Sequence, residues 1–117
     1  MARRLPEDVK QTCLWLAKGY ERRLAKYQSE RGGGRKGERR RTRERERLEA
    51  VEQALVAVGE DIPAEEVREQ LRKAIMLNIE SGRKYPYEQL SLEVISRSDF
   101  YRRKDKFLAD IAERMAL

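Results

Sequence analysis

Residues 95–112 read ISRSDFYRRKDKFLADIA, and they concentrate side chains able to touch a nucleic acid. Arg97, Arg102 and Arg103 carry planar guanidinium groups that fit guanine edges and phosphates bidentately. Ser98 and Tyr101 add hydroxyls for bases or phosphates, and Lys106 adds a point charge. Ser96 and Asp99 fit a capping box, S-x-x-D, so a helix is expected to begin at Ser96 and to run to the C-terminus. Phe100, Phe107, Ile111 and Met115 recur at spacings of seven, four and four, which makes them the buried face. At 100° per residue, Ser98, Arg102, Lys106 and Ala109 lie opposite, with Tyr101 on the flank and Arg97 in the first turn. The exposed surface near the helix start is then Arg97, Ser98, Tyr101, Arg102 and Lys106. Arg83 and Lys84, together with Arg103, are candidates to clamp flanking phosphates. The same pattern also describes a capped, solvated surface helix that touches no nucleic acid, and periodicity alone does not separate the two.

Other chemistries have little to work with. The chain has no histidine and a single cysteine, Cys13, so neither a disulfide framework nor an imidazole or thiolate metal site is expected within one chain. Cys13 falls on an apolar stripe and reads as a small core residue. Gly32 and Gly37 have the separation of a P-loop, but Glu38 and Arg39 stand where lysine and Ser/Thr are required. The many glutamates alternate with arginine and lysine and read as i,i+4 partners rather than as acid–base groups. An enzyme, a cofactor and a small-molecule substrate are therefore not expected.

Composition limits the scaffold. Of 117 residues, 41% are charged, 39% hydrophobic and 7% aromatic, a balance suited to long helices with narrow apolar stripes. The net charge of +6 and a pI near 9.7 favour a polyanionic partner. The apolar runs CLWLA and ALVAV are too short to span a bilayer, and MARRLPEDVK lacks the apolar stretch of a secretory signal, so a cytoplasmic protein is expected.

The elements follow from periodicity. Residues 6–28 predict one helix, with Val9, Cys13, Leu16, Tyr20, Leu24 and Tyr27 in a stripe and Leu14 and Trp15 widening it, as if gripped on two sides. Trp15, Tyr20 and Tyr27 also permit a stacking platform for single strands, but their helical spacing favours packing. The segment SERGGGRKGERRRTRERERLE predicts a flexible loop, about residues 29–42, that runs into the exposed start of a second helix. Residues 31–47 hold nine basic and three acidic side chains, a surplus equal to the charge of the whole protein. Mobile cations of this kind add non-specific phosphate affinity. Leu48, Val51, Leu55 and Val58 form a packing seam that ends at Gly59. A third helix is expected from Pro63 to Ser81–Gly82, with Val67, Leu71, Ala74 or Ile75, and Asn78 or Ile79 on its inner face. A short scaffold helix over residues 86–93, anchored by Leu90, would complete a helix-turn-helix with the last helix. The expected fold is all-α: residues 1–60 as an antiparallel helical pair and 61–117 as a helix-turn-helix module. The heptad-like seams suggest self-association, and a two-fold dimer suits a reader of paired sites.

Residues 75–117, above all YEQLSLEVISRSDFYRRKDKFLADIAERM, resemble the C-terminal part of small phage-encoded regulators of the ArpU-like and RinA-like type. The C-terminal module of that family is similar to the promoter-recognition domain of sigma factors, whose recognition helix opens "I-S-x-S-x-x-Y-R". The matching residues are Ile95, Ser96, Ser98, Tyr101 and Arg102. The resemblance implies sequence-specific binding of double-stranded DNA, control of late phage genes, and contact with RNA polymerase. It covers the last third of the chain and leaves the N-terminal helices and the Gly/Arg segment unmatched. Two other functions fit the residues: a DNA-packaging protein of the small-terminase type, and a helical protein-interaction adaptor without nucleic acid.

Overall fold

In the computed structural model, residues 5–30, 34–82, 87–90, 92 and 94–117 are described, with residues 34–36 described as backbone only. The expected first helix is two. α1 spans Glu7–Lys18 and α2 spans Tyr20–Ser29, with Gly19 between them. Glycine is the weakest helix former after proline, and the Arg23 side chain fills the break. Its Nη2 donates to the Leu16 carbonyl near the end of α1, and its Nε, at 3.4 Å, joins the Arg23 backbone N–H, at 2.9 Å, on the Gly19 carbonyl. The break splits the predicted stripe. α1 buries Cys13, Leu16 and Ala17, whereas Tyr20, Leu24 and Tyr27 on α2 are only half-buried. Trp15 is not gripped on two sides; it is 59% exposed, with the Arg23 guanidinium 4.8 Å from its ring centre.

α3 spans Gly34–Ala57, so residues 34–42 are helix where a flexible loop was expected, and Gly37 lies inside the helix. Arginine and glutamate are good helix formers, and α2 supplies the packing partner that composition does not reveal. Arg41 donates to the carbonyls of Tyr27 at 2.9 Å and Glu30 at 2.5 Å, with its guanidinium 4.0 Å from the Tyr27 ring centre. Arg23 pairs with Glu44 at 3.5 Å. One arginine of the charge run thus caps the end of α2 and fastens an α2–α3 hairpin. Farther along, Leu48, Val51 and Val58 are buried and Leu55 is half-buried, as the seam predicts. Gly59 ends the helix with φ at +78°, a left-handed conformation that only glycine adopts without strain.

α4 spans Glu65–Glu80 and buries Leu71, Ala74, Ile75, Asn78 and Ile79, its predicted face. Arg72 closes the junction with α3 by donating to the carbonyls of Val56 at 2.6 Å and Val58 at 3.3 Å. Among the described residues of the scaffold helix expected over 86–93, Tyr87–Gln89 form a 3-10 turn and neither Leu90 nor Leu92 is helical. The chain wraps around Tyr87 instead of coiling. Its hydroxyl lies between the carbonyls of Leu92, at 3.2 Å, and Ile95, and its ring is 5.9 Å from that of Phe100. α5 spans Arg97–Arg114.

The fold is all-α. One hydrophobic core draws on both of the expected segments: Cys13, Leu16, Val51 and Val58 from residues 1–60, and Leu71, Ile75, Phe100, Phe107 and Ile111 from residues 61–117. α1 packs on α3, α4 and α5, while α2 packs chiefly on α3. The molecule is elongated, 50 × 29 × 28 Å, with the α2–α3 hairpin contributing to its length. Val51 and Leu55 of the α3 seam pack into this core. Among the described residues, no helix is long and apolar enough to cross a membrane.

Candidate nucleic-acid interface

α5 is fixed at its start and along one side. The Ser96 hydroxyl accepts from the Asp99 N–H at 3.2 Å, the first half of the expected capping box. The Asp99 carboxylate does not reach back; it accepts from Arg102 and, at 3.1 Å, from Arg103. Phe100, Phe107 and Ile111 are buried as the spacing predicts, and Leu108 and Ala112 join them, while Met115 is half-buried.

This anchoring leaves Arg97, Ser98, Arg102 and Lys106 exposed in the N-terminal half of the helix. Arg102 is 71% exposed and forms its ion pair with Asp99 one turn back. Arg97 donates to the Glu88 carboxylate at 3.0 Å, and its guanidinium lies 5.2 Å from the Tyr101 ring centre. Pairs this exposed are worth a fraction of a kcal/mol to about 1 kcal/mol, so either guanidinium can turn to a phosphate or a base without a large cost.

Tyr101 is half-buried, packed edge-on against Phe100 with ring centres 5.1 Å apart. Its hydroxyl accepts from the Tyr87 N–H at 3.4 Å, so part of its role is to seat the 3-10 turn on α5. Arg103, a candidate phosphate clamp, is engaged within the fold. Its side chain is only 15% exposed, and it forks onto Asp61 at 2.8 and 2.7 Å while holding Asp99 with Nε. Those bonds hold the Asp61 carboxyl down at about 2 and raise the Arg103 guanidinium further above its already high value. Burial pushes Asp99 up, but hydrogen bonds from Arg102 and Arg103 more than reverse it. Arg83 and Lys84 lie outside the described residues.

One group of cations was not singled out in the sequence, and another was expected on a loop and not on a helix. On α1, Lys10, Leu14 and Lys18 recur every four residues and, with Trp15, line a cleft of about 720 Å³ that Tyr101 and Lys104 of α5 close from the other side. On α3, Arg39, Arg40 and Arg43 are exposed on an ordered helix, and among the described residues none of them has an ion pair within 4 Å. The spacing of Arg39 and Arg43, one helical turn apart, was legible, but only once the segment is known to be helical. Cys13 is buried, and burial pushes its thiol up, away from the reactive thiolate. Among the described residues, no three His, Cys, Asp or Glu side chains come together as metal ligands would.

The class of protein that these features define is an all-α domain presenting a capped, cationic helix. The chain matches no known protein family, no curated protein and no solved structure.

Proposed function

We propose that the protein is a sequence-specific DNA-binding regulator of transcription. The observation that carries this reading is the strip of Arg97, Ser98, Arg102 and Lys106, exposed along the first turns of α5 while the opposite face is locked in the core. A rigid helix that offers arginine and serine from its N-terminal turns suits the major groove, where bidentate arginine–guanine pairs give sequence discrimination. The pair between Arg102 and Asp99 is exposed and weak, so Arg102 can exchange it for a base or a phosphate. The likeness of residues 75–117 to ArpU-like and RinA-like phage regulators gives the reading its biological setting: late-gene control in the bacterial cytoplasm, as a dimer, with RNA polymerase as a further partner.

Titrating the full chain with duplex DNA at two salt concentrations tests the reading. Affinity should fall steeply as salt rises, because bound phosphates release counterions. Affinity that does not change with salt would leave the helical adaptor as the better description, and a closed ring of many subunits would favour a packaging protein. Arg102→Ala should cost about 1–3 kcal/mol of discrimination between preferred and random duplexes. Unchanged discrimination would remove Arg102 from the reading surface.

A further inference from the structure

The cationic half of α3 runs against the rules that stabilise a helix. Its first turn has no acidic residue and its last turn no basic one, the reverse of what the helix dipole favours. Arg39, Arg43 and Arg47 follow one another at i,i+4, a spacing at which like charges repel. A helix that carries such a pattern gains most when it meets a dense negative charge.

The position of these arginines is set by the core. Eleven residues make close to three helical turns, so Arg39, Arg40 and Arg43 stand above Ala50, Val51 and Ala54 on the same helix. Those three small residues are buried, and α3 packs on α1 and α5. One stripe is therefore apolar where the core covers it and cationic beyond. α5 runs antiparallel to α3 along it, since Arg103 reaches Asp61 while Arg114 donates to Gln53 at 2.8 Å. The C-terminal end of α5 thus points toward the arginines, and its N-terminal strip lies at the far end. Counting α3 residues at about 1.5 Å each, Arg40 lies about 26 Å from Ala57 at the end of α3, and the turn that carries Asp61 and the N-terminal strip of α5 lies beyond that end. One turn of B-form DNA is about 34 Å.

We propose that the exposed Arg39, Arg40 and Arg43 form a second DNA contact, which grips backbone phosphates about one helical turn from the groove entered by α5. A single chain would then span roughly 10 base pairs of duplex. This rests on the DNA-binding reading above and adds to it a fixed arm with a defined spacing. The partner is duplex DNA, because only a long array of phosphates is complementary to both cationic elements at once. The acidic stretch of a second copy, residues 48–70, is the rival occupant that the test excludes.

Anisotropy titrations of the full chain against duplexes of about 8 and about 20 base pairs, each over a range of salt, decide it. On the long duplex, the combined variant Arg39→Ala, Arg40→Ala, Arg43→Ala should reduce the log–log salt slope by about 2.7, three phosphates at about 0.9 each. On the short duplex the two elements cannot be occupied together, and the reduction should largely disappear. The corresponding lysine variant should keep the slope, which separates charge from any effect on folding. Two results overturn the proposal while DNA binding stands: a silent alanine variant at both lengths, or an equal loss at both. A variant that lowers the molecular mass in solution but leaves the slope intact also overturns it, and assigns the arm to a second copy. Wild-type protein that shows no salt-sensitive affinity at either length removes the DNA reading itself, and the arm contact with it.

Discussion

Arg102 and Arg103 are neighbours in sequence but 100° apart on α5, and that rotation separates their chemistry. Arg102 faces solvent, whereas Arg103 ties Asp61, beyond the end of α3, to Asp99 on its own helix. Arg103→Met should therefore act on stability rather than on DNA affinity. Asp61 sits at about 2, below its ordinary 3.8, so its contribution is complete above that ordinary value and disappears as pH falls through about 2. The urea midpoints of wild type and variant should differ clearly at about pH 5 and converge near pH 2. An unchanged gap at the lower pH would mean that Arg103 works through packing alone. The exposed residues of the strip were legible because periodicity fixes which side of a helix faces water. The role of Arg103 was not, because its partner lies 42 residues away and only the fold brings the two together.

At the scale of the helices, two single residues hold junctions. Gly59→Ala would force a left-handed conformation on a residue with a side chain, and its Cβ would meet Arg68 Cγ at 3.2 Å. The expected loss is about 1–2 kcal/mol, read from chemical denaturation. A smaller effect would mean that the turn relaxes away from φ +78°. Arg41→Ala removes the donor that closes the end of α2, so hydrogen exchange should accelerate in residues 37–44 while the core helices keep their protection. Uniform acceleration would instead make the hairpin part of the global folding unit. The apolar stripes of α1, α4 and α5 and the end of α3 at Gly59 were readable, since each is a local pattern of spacing or backbone freedom. The start of α3 was not. A glycine- and arginine-rich run is helical here through contacts with α2, and nothing within the run itself encodes that partner. The 3-10 turn was hidden for the same reason, because Tyr87 organises carbonyls that follow it in sequence and a ring on α5.

Over the whole sequence, charge is segregated between the start of α3 and the segment that runs from its second half into α4. Residues 31–47 carry nine basic against three acidic side chains, and residues 48–70 carry seven acidic against one basic. The exposed strip of α5 lies at the acidic end, where Arg103 grips Asp61, and its two arginines are already paired with Glu88 and Asp99. On the DNA-binding reading proposed above, long-range attraction comes mainly from the arm and short-range discrimination from α5. Long-range charge acts on association, whereas close contacts act on dissociation. Neutralising Arg39, Arg40 and Arg43 should slow association with duplex DNA by about tenfold or more at low salt, and the difference should shrink as the Debye length shortens from about 30 Å at 0.01 M to about 8 Å at 0.15 M. Arg102→Ala should leave association close to wild type and speed dissociation from a preferred site. Stopped-flow mixing with a labelled duplex measures both rates. If Arg102→Ala instead slowed association while the arm variant changed only dissociation, the two ends of α3 would have exchanged roles, and the helix carrying the strip would be the one that draws DNA in.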